Sequence, residues 1–315
     1  MKVLIVDAMN VFTRAFCANP AMSDKGQHVG GSVGFLKSLG LMMDILSPNE
    51  VCVIWEGGGS VRRRSIYKDY KEGRRPPKLN RFYEDDLPAT GANRDMQISQ
   101  TVNFLRCLPI YQVYVDNCEA DDVIGYLAKT KYKNDEVYIA SSDKDFYQLV
   151  NENIKVWSVN RKIVIDTAYI CNEFNVHPIN FCTARSFIGD KSDNLPGIKG
   201  TGFKLLSRKF PEIKNEGFIS VEMILKSAKD KSTKDKSKLI KGIVENNDVI
   251  NRNWKLMQLD TSNVSARQVK KINDIFEIFS PRRNKIGLLR ALIKEGIKAV
   301  DVDRLFMSTN FINKY

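Results

Sequence analysis

Carboxylates dominate the residues whose types and spacing could do chemistry. Four clusters stand out: Asp7 in VDAMN; Glu119, Asp121 and Asp122 in EADD; Asp143 and Asp145 in SSDKD; and Asp190 and Asp193 in GDKSDNLPGIKGTG. Taken singly, each has a plain explanation, because acids favour the first turn of a helix. Brought together they would repel, and without counter-charge some would take up protons. A divalent cation removes that conflict, and oxygen donors with little sulfur or histidine select Mg²⁺ or Mn²⁺. Two such ions, roughly 3.5–4 Å apart, can activate a water and stabilise the leaving oxygen of a phosphodiester. Other chemistries lack their residues. The only histidines are His28 and His177, and the six cysteines are dispersed without a CxxC pair, which argues against a zinc site or a Ser-His-Asp triad. No GKS or GKT occurs, so a nucleotide P-loop is absent.

The partner is suggested by charge. The 315 residues carry 49 Lys and Arg against 37 Asp and Glu, a formal net charge of +12, which points to a polyanion and to nucleic acid before a membrane. The segment RRRSIYKDYKEGRRPPK interleaves Tyr67 and Tyr70 with basic residues, as nucleic-acid contacts do. No apolar run approaches the ~18 residues of a membrane span, and no secretory signal is visible. A cytoplasmic protein with reduced, buried thiols is expected.

The elements that must position these acids are legible as a rhythm. KVLIVDA, VCVIWE, IYQVYVD, EVYIASSD and IKVWSV read as buried strands, and VGFLKSLGLMMDIL and EADDVIGYLAKTKY carry helical spacing. Alternating strand and helix predicts an α/β fold with a doubly wound, mostly parallel sheet. Acids recur where strands end, at Asp7, Glu56, Asp116 and Asp143, and ligands in such sheets bind beyond the strands' carboxyl ends. The stretch from Gly57 to about Met96 breaks the rhythm as a long connection. From about residue 175 the strand signals fade, which predicts a second, smaller helical domain. The expected division is 1–175 and 176–315.

With these residues in view, the chain resembles the 5′ nuclease superfamily: flap endonucleases, the 5′→3′ exonuclease domain of DNA polymerase I, and phage 5′ exonucleases and RNase H-type enzymes. EADDVIG, SSDKDFYQL and GDKSDNLPGIKGTG occur in that family's order and spacing, and the resemblance covers roughly residues 1–260. It implies a PIN-like domain with a helical arch (about 57–96), then a helix–three-turn–helix domain carrying a helix–hairpin–helix motif. The implied metal ligands are Asp7, Glu119, Asp121, Asp122, Asp143, Asp145, Asp190 and Asp193. Glu56 stands where the family normally has an aspartate. Arg14 and Lys71 match residues beside the scissile phosphate, and Tyr70 matches a stacking aromatic.

Arg74, Arg75, Lys78 and Arg81 are arch candidates. Gly197, Lys199, Gly200, Gly202 and Lys204 would meet duplex DNA at the hairpin, where relatives hold a K⁺ ion on backbone carbonyls. The implied cofactors are two Mg²⁺ ions, replaceable by Mn²⁺. The implied substrates are DNA with a 5′ flap or a single-stranded 5′ end, and RNA–DNA hybrids. The implied activity is exonuclease and flap endonuclease, removing RNA primers or flaps in replication. No polymerase domain follows, so a monomer coupled to replication proteins in trans is expected. A PIN-type ribonuclease and a non-catalytic DNA-structure-binding protein remain as alternatives.

Overall fold

The computed structural model describes residues 1–73, 90–233, 235–280 and 282–312. Its centre is a six-stranded sheet: β1 (Lys2–Asp7), β2 (Glu50–Trp55), β3 (Tyr111–Tyr114), β4 (Glu136–Ala140), β5 (Ile154–Ser158) and β6 (Ile163–Ile165). The order is β3-β2-β1-β4-β5-β6, parallel throughout except for β6, which runs antiparallel to β5. The five expected strands are all present, and β6 is an addition.

The sequence winds from β1 outward through β2 and β3, then returns to the other side of β1 for β4 and β5. Neighbouring connections therefore leave β1 and β4 in opposite directions, which opens a crevice beyond their carboxyl ends. Pairing of Val6 with Ala140 sets Asp7 level with the start of SSDKD. Pairing of Asp7 with Ile54 places Glu56 just above it on the other flank.

Both faces of β1 are buried, as a parallel sheet covered by helices requires. Leu4 and Val6 enter one core, and Val3 and Ile5 enter the other. Helices Ala8–Ala18, Gly30–Leu46 and Thr90–Leu105 cover the first face, and Ala120–Lys129 and Ala266–Ile278 cover the second. A third core, from Val176 to Ile250, belongs to the helices Phe181–Ile188, Phe203–Lys209, Val221–Lys231, Lys238–Glu245 and Asn247–Met257. The expected second domain of 176–315 does not pack as one body. Leu259, Val264 and Ile272 join the second sheet face, and Leu288 to Ile312 join the first, because their apolar stripes meet the sheet's own helices.

Described parts of the long connection are helical. Val61–Ile66 is a helix, and another begins at Thr90. The latter buries Gln97, Gln100 and Thr101 along with Phe104 and Leu105 at its end. Gln97 accepts from the backbone N–H of Gly31 and Ser32 and donates to the His28 carbonyl, so its burial is satisfied. Arg74, Arg75, Lys78 and Arg81, with residues 74–89 of the expected arch, lie outside the described residues. Among the described residues, no helix is long and apolar enough to cross a membrane.

Candidate active site

Beyond the carboxyl ends of β1, β2 and β4 lies a cleft of about 510 Å³, lined by Asp7, Asn10, Arg14, Glu56, Lys71, Asp121, Asp143 and Asn160, among others. Each acid arrives there by a local rule. Asp7 caps the helix Ala8–Ala18: one carboxylate oxygen accepts from Asn10 N–H and the other from the Ser141 hydroxyl. Asp143 caps the short 3₁₀ helix Lys144–Leu149 by accepting from Asp145 N–H at 2.8 Å. Glu56 stands at the open rim and accepts from Gly59 N–H at 3.0 Å and Ala120 N–H at 3.3 Å. Its longer arm thus reaches the start of the helix that carries Asp121.

The acids perturb one another. Burial, followed by the charges of Asp143 and Glu56, pushes Asp7 up to about 6. Burial and then Asp143 and Asp7 raise Asp121 well above the carboxylate range. Asp143 is raised by burial, and by Asp193 and Asp190 on its other side. Asp145 is pushed to about 7 by burial and by Asp143, despite Arg185. Loss of solvent at the rim and the charge of Glu119 raise Glu56. Asp143 therefore joins two adjoining groups: Asp7, Glu56 and Asp121 on one side, Asp145, Asp190 and Asp193 on the other.

Cations occupy part of this set. The Lys71 ammonium donates to Glu119 at 2.9 Å, and Lys71 with Arg63 outweighs burial to hold Glu119 below its usual range. Arg63 is 2% exposed and donates through three nitrogens: to Glu119, to both oxygens of Asp122 (2.5 and 2.7 Å), and to the Leu256 carbonyl. Arg185 bridges Asp145 and Asp190.

Four expectations need correction. Asp122 is not in the cleft. One residue along a helix turns the side chain by about 100°, so Asp121 faces the cleft while Asp122 meets Arg63 and the Asn263 amide. Tyr70 presents no stacking surface, because it is buried and its hydroxyl donates to Glu119 and Asp193. Asp116 leaves the common edge to pair with Lys271. Gly197 is required inside the protein: a side chain there would meet the Ile188 carbonyl at 1.9 Å, so it serves the hairpin's own packing.

The remaining candidates have the following places. Arg14 is exposed at the cleft and donates to the Val159 carbonyl at 2.9 Å. Lys199, Gly200 and Lys204 are exposed on the hairpin between helices Phe181–Ile188 and Phe203–Lys209, and Gly202 caps the latter. Gly200 has φ +78°, a conformation that favours glycine. The hairpin is fastened to the cleft: Lys71 N–H donates to the Asp193 carbonyl at 3.0 Å, and the Asn194 amide to the Asp69 carbonyl at 2.9 Å.

Sequence reasoning missed Arg63 and Arg185. One is hidden in the RRR run, the other stands five residues before Asp190.

Among the described residues, no three of these side chains are gathered closely enough to surround one ion as they stand. The donor set nonetheless suits Mg²⁺, which keeps several waters and binds through one or two carboxylates plus substrate phosphates. Asp7, Asp121 and Asp143, all driven up by burial and then by neighbouring acids, are the residues that a hard cation would relieve.

The comparisons with known proteins agree on family and fold. Residues 2–175 match the family model of the 5′–3′ exonuclease, N-terminal resolvase-like domain. DNA polymerase I of Bacillus subtilis is 32% identical over 246 residues, which are 74% of this chain and 25% of that protein. The match to a second DNA polymerase I also spans about a quarter of its length. The 5′–3′ exonuclease of Aquifex aeolicus is 33% identical over 221 residues, 68% of this chain and 72% of the relative. The bacteriophage T5 flap endonuclease, solved in a pseudo-enzyme–product complex with DNA and metal ions, shares the fold. Its TM-score is 0.71 at 20% identity, covering 88% of this chain and 99% of that one. With its motifs, its fold and these relatives in agreement, the chain belongs to the 5′–3′ exonuclease family of the 5′ nuclease superfamily.

Proposed function

We propose that this chain is a structure-specific, divalent-cation-dependent 5′ nuclease that hydrolyses phosphodiesters in DNA bearing a 5′ flap or a single-stranded 5′ end. The observation that carries this reading is the cleft at the sheet's switch point. There Asp7, Asp121 and Asp143 hold one another's charge in check next to the basic Arg14 and Lys71. Two Mg²⁺ ions, or Mn²⁺, held by the cleft acids would supply an activated water and stabilise the leaving oxygen.

The chain's own residues do the positioning. Lys71, anchored at Glu119, keeps a positive charge at the cleft for the scissile phosphate. Arg14, tethered through Nη1 to the Val159 carbonyl, offers its other donors to the same phosphate. Lys199 and Lys204 present charge to the duplex from the hairpin, and the bonds from Lys71 and Asn194 fix how far duplex contact lies from the cut. A K⁺ ion on the hairpin's carbonyls would suit Thr201, whose hydroxyl is buried without a partner among the described residues. The chain acts as a monomer on flaps and on RNA–DNA hybrids left by primers.

A 5′-flap oligonucleotide incubated with Mg²⁺, and with EDTA as control, tests the reading. Cutting at the flap base with release of short 5′ products is expected. Cutting that persists in EDTA, or that consumes only single-stranded RNA, overturns it.

The hairpin's share is tested separately. Gly202 has extended backbone (φ −139°) and open space around it, so Gly202→Val leaves the fold intact. Gly202→Val is expected to weaken binding of duplex-containing flaps about tenfold or more relative to a short single strand, by blocking close approach. An unchanged affinity ratio shows that the duplex does not approach here.

A further inference from the structure

Arg185 lies among carboxylates that the sequence offers as cation ligands. Its Nη2 donates to Asp145 at 3.1 Å and also contacts Asp190, and its side chain is 13% exposed. Helix Phe181–Ile188 places it five residues ahead of Asp190, and Gly189 (φ +80°) turns the chain so that the acid comes back to the guanidinium. Asp143 and Asp193 bear on the same spot. The seat is incomplete, however. Arg63 uses Nε and both terminal nitrogens, whereas the Nε of Arg185 is buried without a partner among the described residues. Arg63 is thus built in, while Arg185 neutralises charge from an arrangement that leaves one of its donors unused.

We propose that Arg185 is a resident counter-cation that holds the Asp145–Asp190 half of the site against a second divalent ion. The free protein then takes one ion readily on the Asp7–Asp121–Asp143 side, and a second only when the guanidinium is displaced. This rests on the reading of the cleft as a divalent-cation site. A guanidinium and a divalent ion cannot share the space between the same two carboxylates, because like charges would meet there. An incoming ion must break two charge-assisted hydrogen bonds before it gains its own ligands. A phosphate group offers the displaced arginine an alternative, since the planar fork matches it as well as it matches a carboxylate. Arrival of the polyanion and entry of the second ion are thereby coupled through one side chain.

Calorimetric titration of the full chain with Mn²⁺, without nucleic acid, tests this. The wild type is expected to bind one ion, and a second at least about tenfold more weakly. Arg185→Gln is expected to tighten the second step about tenfold and leave the first unchanged. Adding Asp145→Asn to that variant should remove the gain. Identical isotherms for wild type and folded Arg185→Gln overturn the proposal.

Removing one partner of a buried pair also threatens folding, so thermal unfolding is followed with and without Mn²⁺. The ion should raise the midpoint of Arg185→Gln well beyond its effect on wild type. A variant that stays unfolded in saturating Mn²⁺ overturns the proposal too, because the ion then fails to replace the guanidinium. If neither protein takes up Mn²⁺, the cation reading of the whole cleft falls. An unchanged variant beside a wild type that does bind sinks only the role of Arg185.

Discussion

Asp143→Asn lowers the metal-dependent cleavage rate by at least about a hundredfold, while affinity for flap DNA holds or rises. Asp143 is the acid through which the two halves of the cleft bear on each other, since it interacts with Asp7 and Asp121 on one side and with Asp190 and Asp193 on the other. Losing its charge weakens cation binding in both halves. The same loss relieves repulsion of phosphates, so binding does not suffer with the chemistry. The cap survives, because the asparagine oxygen still accepts from Asp145 N–H. Single-turnover cleavage of a 5′ flap in Mg²⁺, beside a binding isotherm in its absence, provides the check. A rate above about a tenth of wild type would remove Asp143 from the ligand set.

The second large effect falls on stability. Arg63→Ala costs about 3–5 kcal/mol, because Asp122 is left buried with an unmet charge while Glu119 keeps Lys71 and Tyr70. For a chain of this size the unfolding midpoint falls by roughly 5–8 °C. Arg63→Met combined with Asp122→Leu recovers most of that loss, since both charges leave together and the volume is kept. The double variant retains flap cleavage, because Asp122 lies outside the cleft. The decisive comparison is Asp122→Asn, assayed at a temperature where it is fully folded. A rate as low as that of Asp143→Asn would return Asp122 to the ligand set.

These two predictions separate acids that look alike in the sequence. EADD gives three carboxylates in four positions, and only the turn of the helix decides which faces the cleft. The strands were readable because parallel, doubly covered strands are continuous apolar runs, and the acids because they follow those runs directly. The helix Thr90–Leu105 was not, since over most of its length it buries amides and a hydroxyl, with Phe104 and Leu105 only at its end. Tyr70 misled for a related reason. Among eight basic residues an aromatic looks like a base-stacking platform, yet its hydroxyl has two carboxylates to satisfy and is drawn inside. Arg63 and Arg185 were illegible because a run of arginines looks like a solvated face until the carboxylates folding onto it are known. The hairpin's shape could be read, but the need for Gly197 is internal, set by a close approach to Ile188 that no spacing rule announces.

The last helices complete a core begun by the first. Leu288, Leu292, Leu305 and Phe306 pack with Leu36, Leu39 and Met43, and Arg304 pairs with Asp44, some 260 positions earlier. At a ribosomal rate of about 5–20 residues per second, these partners emerge on the order of ten to fifty seconds apart. Throughout that interval the outer side of helix Gly30–Leu46 is a sticky surface on a nascent chain. A fragment ending near residue 175 would keep that surface permanently, so it would be prone to self-association although all six strands of the sheet are present. The cleft is assembled from residues 7 to 193, but the body that keeps it in solution closes only with the arrival of residues near 306.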